Sequence, residues 1–395
     1  MRVKKKGKRR IAGRILLIVL FIGLIAAFWL LPNLMTRSAA DFYTAHIFPI
    51  VALFANDLNS YFHFSLTENI VIVGSLALVA AAVYFVVMVF VSGAKGKLGV
   101  FLYKSLRTVL ALLVILTAVY QLMFGLNYRR TSVAGILDLG EEDHDFEDYA
   151  ATLDWAYNGM INARKQMGED YEGVAHPKES FESNVTYANI LIDTICARYD
   201  IPVSNNFVRA KPVSASRYWT YTGIVGEYDP FLGEANINTD YMDPTTFPVT
   251  LCHEILHAKG FASETDCNTL ATICCLSATR ADFRYAGYFE IFMSLIGVTS
   301  EYAVAEGQML PDYLTDPAIY PVYRDINASN MYWLGIREEV EYIYKLVGID
   351  LNKAGSDTND AFLEANGQEG GIETYVVPDN VYVDFYTAYV EEDDA

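Results

Sequence analysis

Two histidines and a glutamate stand at a spacing that can hold a metal ion and activate water. They are His253, Glu254 and His257, in the segment HEILH. On a helix, residues i and i+4 share a face, so both imidazoles can bind one metal while Glu254 reaches a water beside it. Zinc is the metal that this pattern favours, and it lowers the pKa of a bound water from 15.7 to about 7. Glu254 is the residue placed to take the proton of that water.

A catalytic zinc site needs a third protein ligand, and the residues after HEILH offer two carboxylates. A glycine can end the first helix, and Ser263 can cap a second helix that opens with Glu264. Glu264 is the predicted ligand, because Asn268 follows one turn later and can hydrogen-bond a ligand histidine. Asp266 is the alternative ligand. The two carboxylates differ by about 200° around a helix, so only one of them can face the metal.

The elements that must position these residues follow from apolar periodicity. Pro248 precedes the histidine pair and apolar residues flank it, as is typical of a buried helix. Residues 206–240 are rich in aromatic and β-branched residues with Gly and Pro between them, which indicates short strands. Helical spacing recurs over residues 141–167, 181–199, 263–279, 281–296, 330–346 and 358–365. The sequence predicts an α+β, mainly helical domain with a small sheet immediately before the HExxH helix.

The predicted sheet supplies the candidates for substrate binding. A peptide can add to a strand near residues 233–238, which makes Gly233, Glu234 and Asn236 the predicted substrate-binding residues. The alternative for Glu234 and Asn236 is an ordinary polar face of a strand or turn. Tyr288 and Tyr375 are candidates for stabilising a transition state, and packing in the core or on the surface is the alternative for both.

Three uncharged apolar runs predict transmembrane helices. They cover residues 15–31, 70–91 and 108–126, and a bilayer core needs about 20 residues of helix. The first run follows a basic segment, as in a signal peptide, but it is long and bulky, which favours a retained anchor. Residues 46–55 are apolar but short and contain Pro49, so an interfacial or re-entrant segment is expected there. The division predicted is a membrane domain over residues 1–130 and a second domain over residues 131–395.

Basic residues predict the orientation of these spans. Residues 1–14 carry eight Lys and Arg, and residues 92–107 carry four, with no acidic residue in either segment. Cytoplasmic loops carry such an excess, although Arg129 and Arg130 after the third run count mildly the other way. The sequence therefore predicts a multi-pass protein of the cell membrane with a cytoplasmic N-terminus. Three crossings would place residues 131–395 outside the cytoplasm.

The distribution of charged residues limits the kinds of partner that the second domain can bind. Residues 1–130 hold 15 of the 29 basic and 3 of the 48 acidic residues, so residues 131–395 carry 14 − 45 = −31. Such a domain repels phosphates, which excludes nucleic acid as an expected partner.

The five cysteines include no CxxC pair and are interpreted as buried free thiols beside the metal helix, with a disulfide among them as the alternative.

Several segments together resemble the bacterial family known as domain of unknown function 3810. The similar segments are PFLGEANIN at 230–238, HEILHAKGF at 253–261, Glu264-x-x-x-Asn268, FGLNYR at 124–129 and NDAFLEANGQ at 359–368. The resemblance covers nearly the whole chain. It implies three N-terminal membrane helices and a gluzincin-like zinc metallopeptidase domain outside the cytoplasm. The sequence departs from the family at Asp266-Cys267, where Glu-Ala is more common, and this keeps Asp266 open as a ligand.

The function predicted is a membrane-anchored zinc peptidase. Glu254 would pass the proton of the attacking water to the leaving amine of a peptide or protein substrate. The competing hypothesis is a membrane-anchored binding or signalling domain with a vestigial zinc site, and the intact Glu254 argues against it. A transporter is disfavoured, because the apolar runs contain no charged residue.

Overall fold

A computed structural model of the chain describes residues 2–391. The membrane-side part consists of helices α1 to α5, with one π-helical turn, Tyr43–Ile47, between α2 and α3. The five helices are α1 (Arg2–Leu34), α2 (Arg37–Phe42), α3 (Phe48–Ser60), α4 (Leu66–Ala94) and α5 (Leu98–Met123). The predicted runs 15–31 and 70–91 lie within α1 and α4. The third predicted run extends too far, because the helix ends at Met123 and a separate 3-10 turn, Gly125–Arg129, follows.

Within residues 2–391, four helical stretches are long and apolar enough to cross a membrane. Two of them contain the predicted runs 15–31 and 70–91, a third contains most of the run 108–126, and the fourth is Arg37–Ser60, which joins α2 and α3. This fourth stretch contacts the remainder of the chain along its length. Thr131 donates to Asp41 at its beginning, Asn206 donates to the Pro49 carbonyl in its middle, and Asn59 donates to the Leu232 carbonyl near its end. Four apolar helices mark the chain as a membrane protein.

The remaining residues form a mainly helical unit with two small sheets. Its elements are α6 (Val133–Ile136), α7 (Phe146–Arg164), β1 (Gly168–Glu169), β2 (Ala175–His176), α8 (Phe181–Arg198), β3 (Lys211–Pro212), α9 (Ser216–Thr220), β4 (Gly226–Asp229), β5 (Glu234–Ile237), α10 (Phe247–Ala258), α11 (Glu264–Leu276), α12 (Ala281–Glu306), α13 (Tyr320–Val347), α14 (Leu351–Ala365) and α15 (Asp379–Tyr386). Helix predominates and the small sheet precedes the HEILH helix, so this part of the predicted fold class is confirmed. Helix α13 begins ten residues before its predicted start, because Pro321 in its first turn is compatible with a helix.

The three-stranded sheet has the order β3-β5-β4, so β5 is its central strand. It runs parallel to β3 and antiparallel to β4, with Gly226 opposite Ile237 and Asp229 opposite Glu234. All four residues of β5 are buried. The sheet packs on α10, and one continuous apolar core joins α7, α8, α10, α11 and α12. Leu251, Ile255 and Leu270 are fully buried in this core, which fixes the metal-site helices rigidly.

Candidate metal centre

Helix α10 carries the HEILH residues on a buried face. It has Pro248 in its first turn, where a missing N–H costs nothing, and it ends at Ala258. Gly260 then adopts φ 112°, a conformation that favours glycine, and the chain turns back. Ser263 caps α11 by accepting the Asp266 N–H, so the predicted glycine turn and N-cap are confirmed. The turn brings the start of α11 opposite the histidine pair.

Three ligand-type atoms converge between the two helices. The Nε2 atoms of His253 and His257 are 3.0 Å apart, and an Oε2 of Glu264 lies 3.0 Å from the first and 3.4 Å from the second. All three side chains are at most 7% exposed. The structure therefore brings together His253, His257 and Glu264, the three residues that the sequence predicted as metal ligands.

The other ring nitrogens of the histidines are already engaged. His253 Nδ1 lies 2.6 Å from Oδ1 of Asn268, and His257 Nδ1 lies 2.9 Å from the Phe261 carbonyl oxygen. Both partners are acceptors if Asn268 presents its oxygen, so each Nδ1 must donate its proton. Neutral imidazoles in this tautomer leave lone pairs on both Nε2 atoms. Three acceptors then face one another in a buried space, and the Glu264 Oε2 receives no hydrogen bond from any described residue.

Asp266, the alternative ligand, points away from the histidines. Its Oδ1 accepts the Val133 N–H at 2.7 Å and so caps the short helix α6. Burial raises the pKa of the Asp266 carboxyl to about 6, although the hydrogen bond from Val133 and the charge of Arg130 lower it in part. Asp266 therefore stabilises the start of helix α6 and does not face the histidines.

Cys267 is a site residue that the sequence analysis missed. His253, His257 and Cys267 offer ligand atoms within 4.8 Å of one another. The Cys267 Sγ lies 3.4 Å from Nδ1 of His257, on the side of the ring opposite Nε2. One ion therefore cannot reach Cys267 and Glu264 through the same His257 nitrogen. No spacing rule could have identified Cys267. Its contact with the His257 ring arises only because the turn between α10 and α11 packs the two helices together.

The Glu254 carboxylate lies beside the histidines and against strand β4. Its Oε2 is buried and has no hydrogen-bond partner within residues 2–391. A Cβ atom on Gly226 would come within 2.5 Å of Glu254 Oε1, so only glycine fits there without displacement. Burial raises the pKa of Glu254 and the neighbouring imidazoles offset part of that rise. Gly226 was also missed, although it lies within the glycine-containing segment that indicated strands.

Aromatic rings surround the metal centre. Tyr375 stacks on His253 at 6.1 Å between centroids, and Tyr228 stacks on His257 at 6.0 Å. Asn268 Nδ2 donates to the Tyr375 carbonyl at 2.6 Å, which ties the C-terminal 3-10 turn Gly371–Tyr375 to the site. The other tyrosine candidate, Tyr288, packs on Trp155 at 5.1 Å in the core between α7 and α12.

The predicted substrate-binding residues lie on the membrane side of the sheet. Glu234 accepts hydrogen bonds from Ser65 and Thr67 at the start of α4, and its carboxylate pairs with Lys211 at 2.8 Å. Asn236 donates to the Thr67 hydroxyl at 3.2 Å. A Cβ on Gly233, which has φ 65°, would come within 2.9 Å of Ala55 and Met123. The structure does not bring these three residues to the histidines. They contact the membrane helices instead.

One other prediction has a structural outcome. All five cysteines are free and buried, so the interpretation as buried thiols is confirmed over a disulfide.

A surface cavity of about 660 Å³ lies away from the metal centre, between the start of α7 and the end of α12. It is lined by several acidic residues and His144, and it contains none of the predicted site residues.

Comparison with known proteins identifies the family but no activity. No curated protein and no solved structure matches the chain. The family described as Protein of unknown function (DUF3810) matches residues 43–377, a range that contains the HEILH helix, Glu264, Asn268 and Tyr375. Because the match covers most of the sequence, the chain belongs to the DUF3810 family.

Proposed function

We propose that this protein is a membrane-anchored zinc peptidase whose metal is held by His253, His257 and Glu264. The observation that carries the proposal is the convergence of two Nε2 atoms and one carboxylate oxygen within 3.0–3.4 Å, with no donor between them. A proton on one imidazole would satisfy only one of these contacts, whereas a divalent cation satisfies all three. Two imidazoles and one carboxylate form the ligand set of a catalytic zinc site with an open fourth position.

The hydrogen-bond partners of the two histidines, Asn268 and the Phe261 carbonyl, also support metal binding. Metal-binding histidines donate their second ring N–H to a carbonyl or carboxylate oxygen, which holds the ring in the correct orientation. Both histidines have such an acceptor at 2.6–2.9 Å. We favour Glu264 over Cys267 as third ligand, because Cys267 faces the Nδ1 of His257 that already has this partner.

Glu254 would act as the general base. When bound, zinc supplies a Lewis acid and an activated water. The buried Glu254 carboxylate lies next to the ligand histidines with one oxygen free, so it can take a proton and hold it. It would then return that proton to the leaving amine, so one side chain serves both proton transfers. Burial keeps its protonated form accessible, because desolvation disfavours the carboxylate.

The substrate strand is best placed along β4 rather than β5. Strand β5 is flanked by β3 and β4, whereas β4 is at the end of the strand order and has a free edge within the described sheet. Gly226 of β4 also contacts Glu254. A peptide that extends the sheet at β4 would therefore lie beside the base, with its backbone recognised through strand hydrogen bonds.

Three membrane crossings agree best with the contacts of the helix ends. The start of α4 and the end of α5 reach the unit that holds the metal centre, through Ser65–Glu234 and Phe124–His257. The end of α1 lies at the same level, because Arg129 in the 3-10 turn after α5 donates to Asn33. Both ends of Arg37–Ser60 also contact this unit, so we propose that this stretch lies along it instead of crossing. With the basic N-terminal segment in the cytoplasm, the metal centre is outside.

The test combines metal analysis with cleavage of a peptide library by the full-length protein in detergent. Wild type should contain close to one zinc and cleave peptides. Glu254→Gln should keep the zinc and lose hydrolysis by more than the roughly 10²–10⁴-fold typical of one acid–base group, because it serves two proton transfers. Glu290→Gln is the matched control, since it removes another carboxyl whose pKa burial raises but that lies on α12.

Each result has a clear meaning. An unchanged cleavage rate in Glu254→Gln would exclude Glu254 as the base. Bound zinc with no cleavage of any peptide by the wild type would favour the alternative, a membrane-anchored binding or signalling domain. The low exposure of the site, 6% for His253 and 4% for His257, is the observation that favours this alternative.

A further inference from the structure

The end of a membrane helix forms part of the wall of the metal centre. Phe124 is the residue directly after α5, and its ring lies 5.6 Å from that of His257. The same ring lies 5.5 Å from Tyr228 of strand β4. Phe124 is 4% exposed, so these ring contacts are buried inside the protein and do not lie on its surface. The metal centre is therefore next to the end of an apolar helix.

A second membrane helix is held by the sheet next to Glu254. Glu234 of β5 accepts from the Ser65 hydroxyl at 3.1 Å and from the Leu66 and Thr67 N–H groups at 3.2 and 2.9 Å. It thereby binds the unsatisfied N–H groups at the start of α4. Its partner Lys211 is fully buried, and a buried ion pair with matched hydrogen bonds holds its geometry rigidly. The first turn of α4 is thus fixed to β5.

These contacts set the depth of the site relative to a bilayer. Strand β4, which contacts Glu254, is one strand away from β5, and neighbouring strands are about 4.8 Å apart. The apolar run of α4 begins within its second turn, at Ile70. The headgroup layer is roughly 5–8 Å deep on each side of the hydrocarbon core. The edge of β4 beside Glu254 therefore lies at about the level of the headgroups.

The surface around the end of α5 has the composition of a membrane interface. Phe231 and Phe362 are 47% and 39% exposed, and both rings lie against Tyr120 near the end of α5, at 6.1 and 6.3 Å. Aromatic residues gather at this level of membrane proteins, because their rings are stable between hydrocarbon and water. A folded soluble protein could not bring a peptide bond to this depth without entering the headgroups.

We infer that the substrates are juxtamembrane segments, that is, extended peptides held within a few residues of the bilayer by a span or a lipid chain of their own. An extended chain covers about 3.3–3.6 Å per residue, so about two or three residues cross a headgroup layer of roughly 5–8 Å. This inference rests on the proposed peptidase function and adds the class of substrate to it.

The experiment presents one quenched fluorescent peptide library in four forms to the full-length protein in vesicles. The library is free, joined to a synthetic span of about 20 apolar residues through a Gly/Ser spacer of about 5 or about 40 residues, or joined to a diacyl lipid through the short spacer. The short-spacer forms should be cleaved about 10-fold or more faster than the long-spacer form, since the effective concentration at the β4 edge falls with spacer length. Glu254→Gln protein gives the background.

The four forms separate the possible failures. Equal cleavage of the free and tethered peptides, or faster cleavage with the long spacer, would overturn the inference and leave the peptidase function standing. No cleavage of any form by zinc-loaded wild type would overturn the proposed function and the inference with it. Cleavage of the span-linked form alone, or of the lipid-linked form alone, would support the inference and identify the kind of anchor.

Discussion

Two buried polar clusters in this protein differ in whether their own groups satisfy them. The first surrounds Asp325, which is fully buried. Its carboxylate accepts from Arg164 at 2.5 and 3.1 Å, from the Tyr285 hydroxyl at 2.8 Å and from the Ala175 N–H at 2.7 Å. Every acceptor there faces a donor. The second cluster is His253, His257 and Glu264, where acceptors face acceptors.

The difference shows what a functional cluster looks like in this chain. Buried polar groups are normally paired, and an unpaired one costs about 1–3 kcal/mol. The Asp325 cluster joins α7, α13 and the β2 strand, so it stabilises the fold with groups that the chain supplies. The histidine cluster is equally buried, and with neutral imidazoles it presents three acceptors, to which a cation is complementary. This contrast supports a bound metal ion over a structural role for the second cluster.

The largest expected effect concerns the satisfied cluster. Arg164→Ala leaves the Asp325 charge buried without its cation, so the free energy of unfolding should fall by about 3–5 kcal/mol. Urea unfolding of the purified protein in detergent measures this, and the zinc content of the folded variant should not change. Arg324→Ala is the matched control, because this arginine is 44% exposed and contacts Glu169 and the Gly173 carbonyl. It should lose no more than about 1 kcal/mol. Equal losses in the two variants would contradict the comparison.

The next effect distinguishes the two carboxylates of α11. Glu264→Ala removes one of three protein ligands, and structural zinc sites bind with about 10–16 kcal/mol, or about 3 kcal/mol per ligand. Its zinc affinity, measured by competition with a chelator, should fall by roughly two orders of magnitude or more. Asp266→Ala should keep zinc and lose stability instead, since Val133 loses its acceptor. The opposite pattern would make Asp266 the ligand and exclude the arrangement described above.

A smaller effect is expected at Asn268, which contacts the ligand His253 but not the metal. Asn268→Ala should weaken zinc binding by about 10–100-fold, because the imidazole loses the acceptor that orients it. Thr265→Ala is the control. Thr265 donates to the Thr374 carbonyl at 2.6 Å, so its loss also loosens the 3-10 turn over the site, but it leaves His253 untouched. An equal loss of zinc affinity in both variants would show that Asn268 acts only through that turn.

The smallest effect concerns a third buried cluster, formed by one histidine and two carboxylates. A proton on the histidine supplies the positive charge that a metal ion would supply in the second cluster. His144 lies between Asp148, at 3.0 Å, and Asp384, and its side chain is 4% exposed. Burial lowers the pKa of His144, but the hydrogen bonds to the two carboxylates outweigh burial and raise it above 6.5. The stabilisation from this cluster is therefore fully present below about pH 6.5 and is lost as the pH rises through the folded-state pKa. The urea midpoint should fall with pH over that range in wild type and less in His144→Gln. Parallel profiles would contradict the assignment.

The sequence predicted well those features that depend on neighbouring residues. The spacing of His253 and His257 requires a shared face once a helix forms there, and the apolar flanks favour that helix. The turn at Gly260 and the cap at Ser263 follow from backbone rules of the same local kind. These few residues already direct Glu264 and Asn268 toward the histidines, and the structure places them there. The ends of long helices were less predictable, as at α5 and α13, because packing extends or shortens them.

Features that join distant parts of the chain were not predictable in this way. Residues 233–238 indicate a strand that a peptide could extend, but nothing local shows that β3 and β4 cover both edges of this strand. The pairing of Glu234 with Lys211 and the start of α4 spans up to 169 positions in sequence. The contact of Cys267 with His257 depends on how tightly two helices pack around a turn.

The sequence by itself determined which ligand-type side chains share the candidate metal site and where apolar spans are present. Both are encoded in residue type and local spacing, and these act before any tertiary contact exists. Only the tertiary structure decided which strand lies beside Glu254, which carboxylate binds the first turn of α4, and how close Phe124 at the end of α5 lies to His257. The physical reason is that packing and hydrogen-bond satisfaction are properties of the whole buried core. A side chain's partner there is chosen by the competition among all elements that share that core.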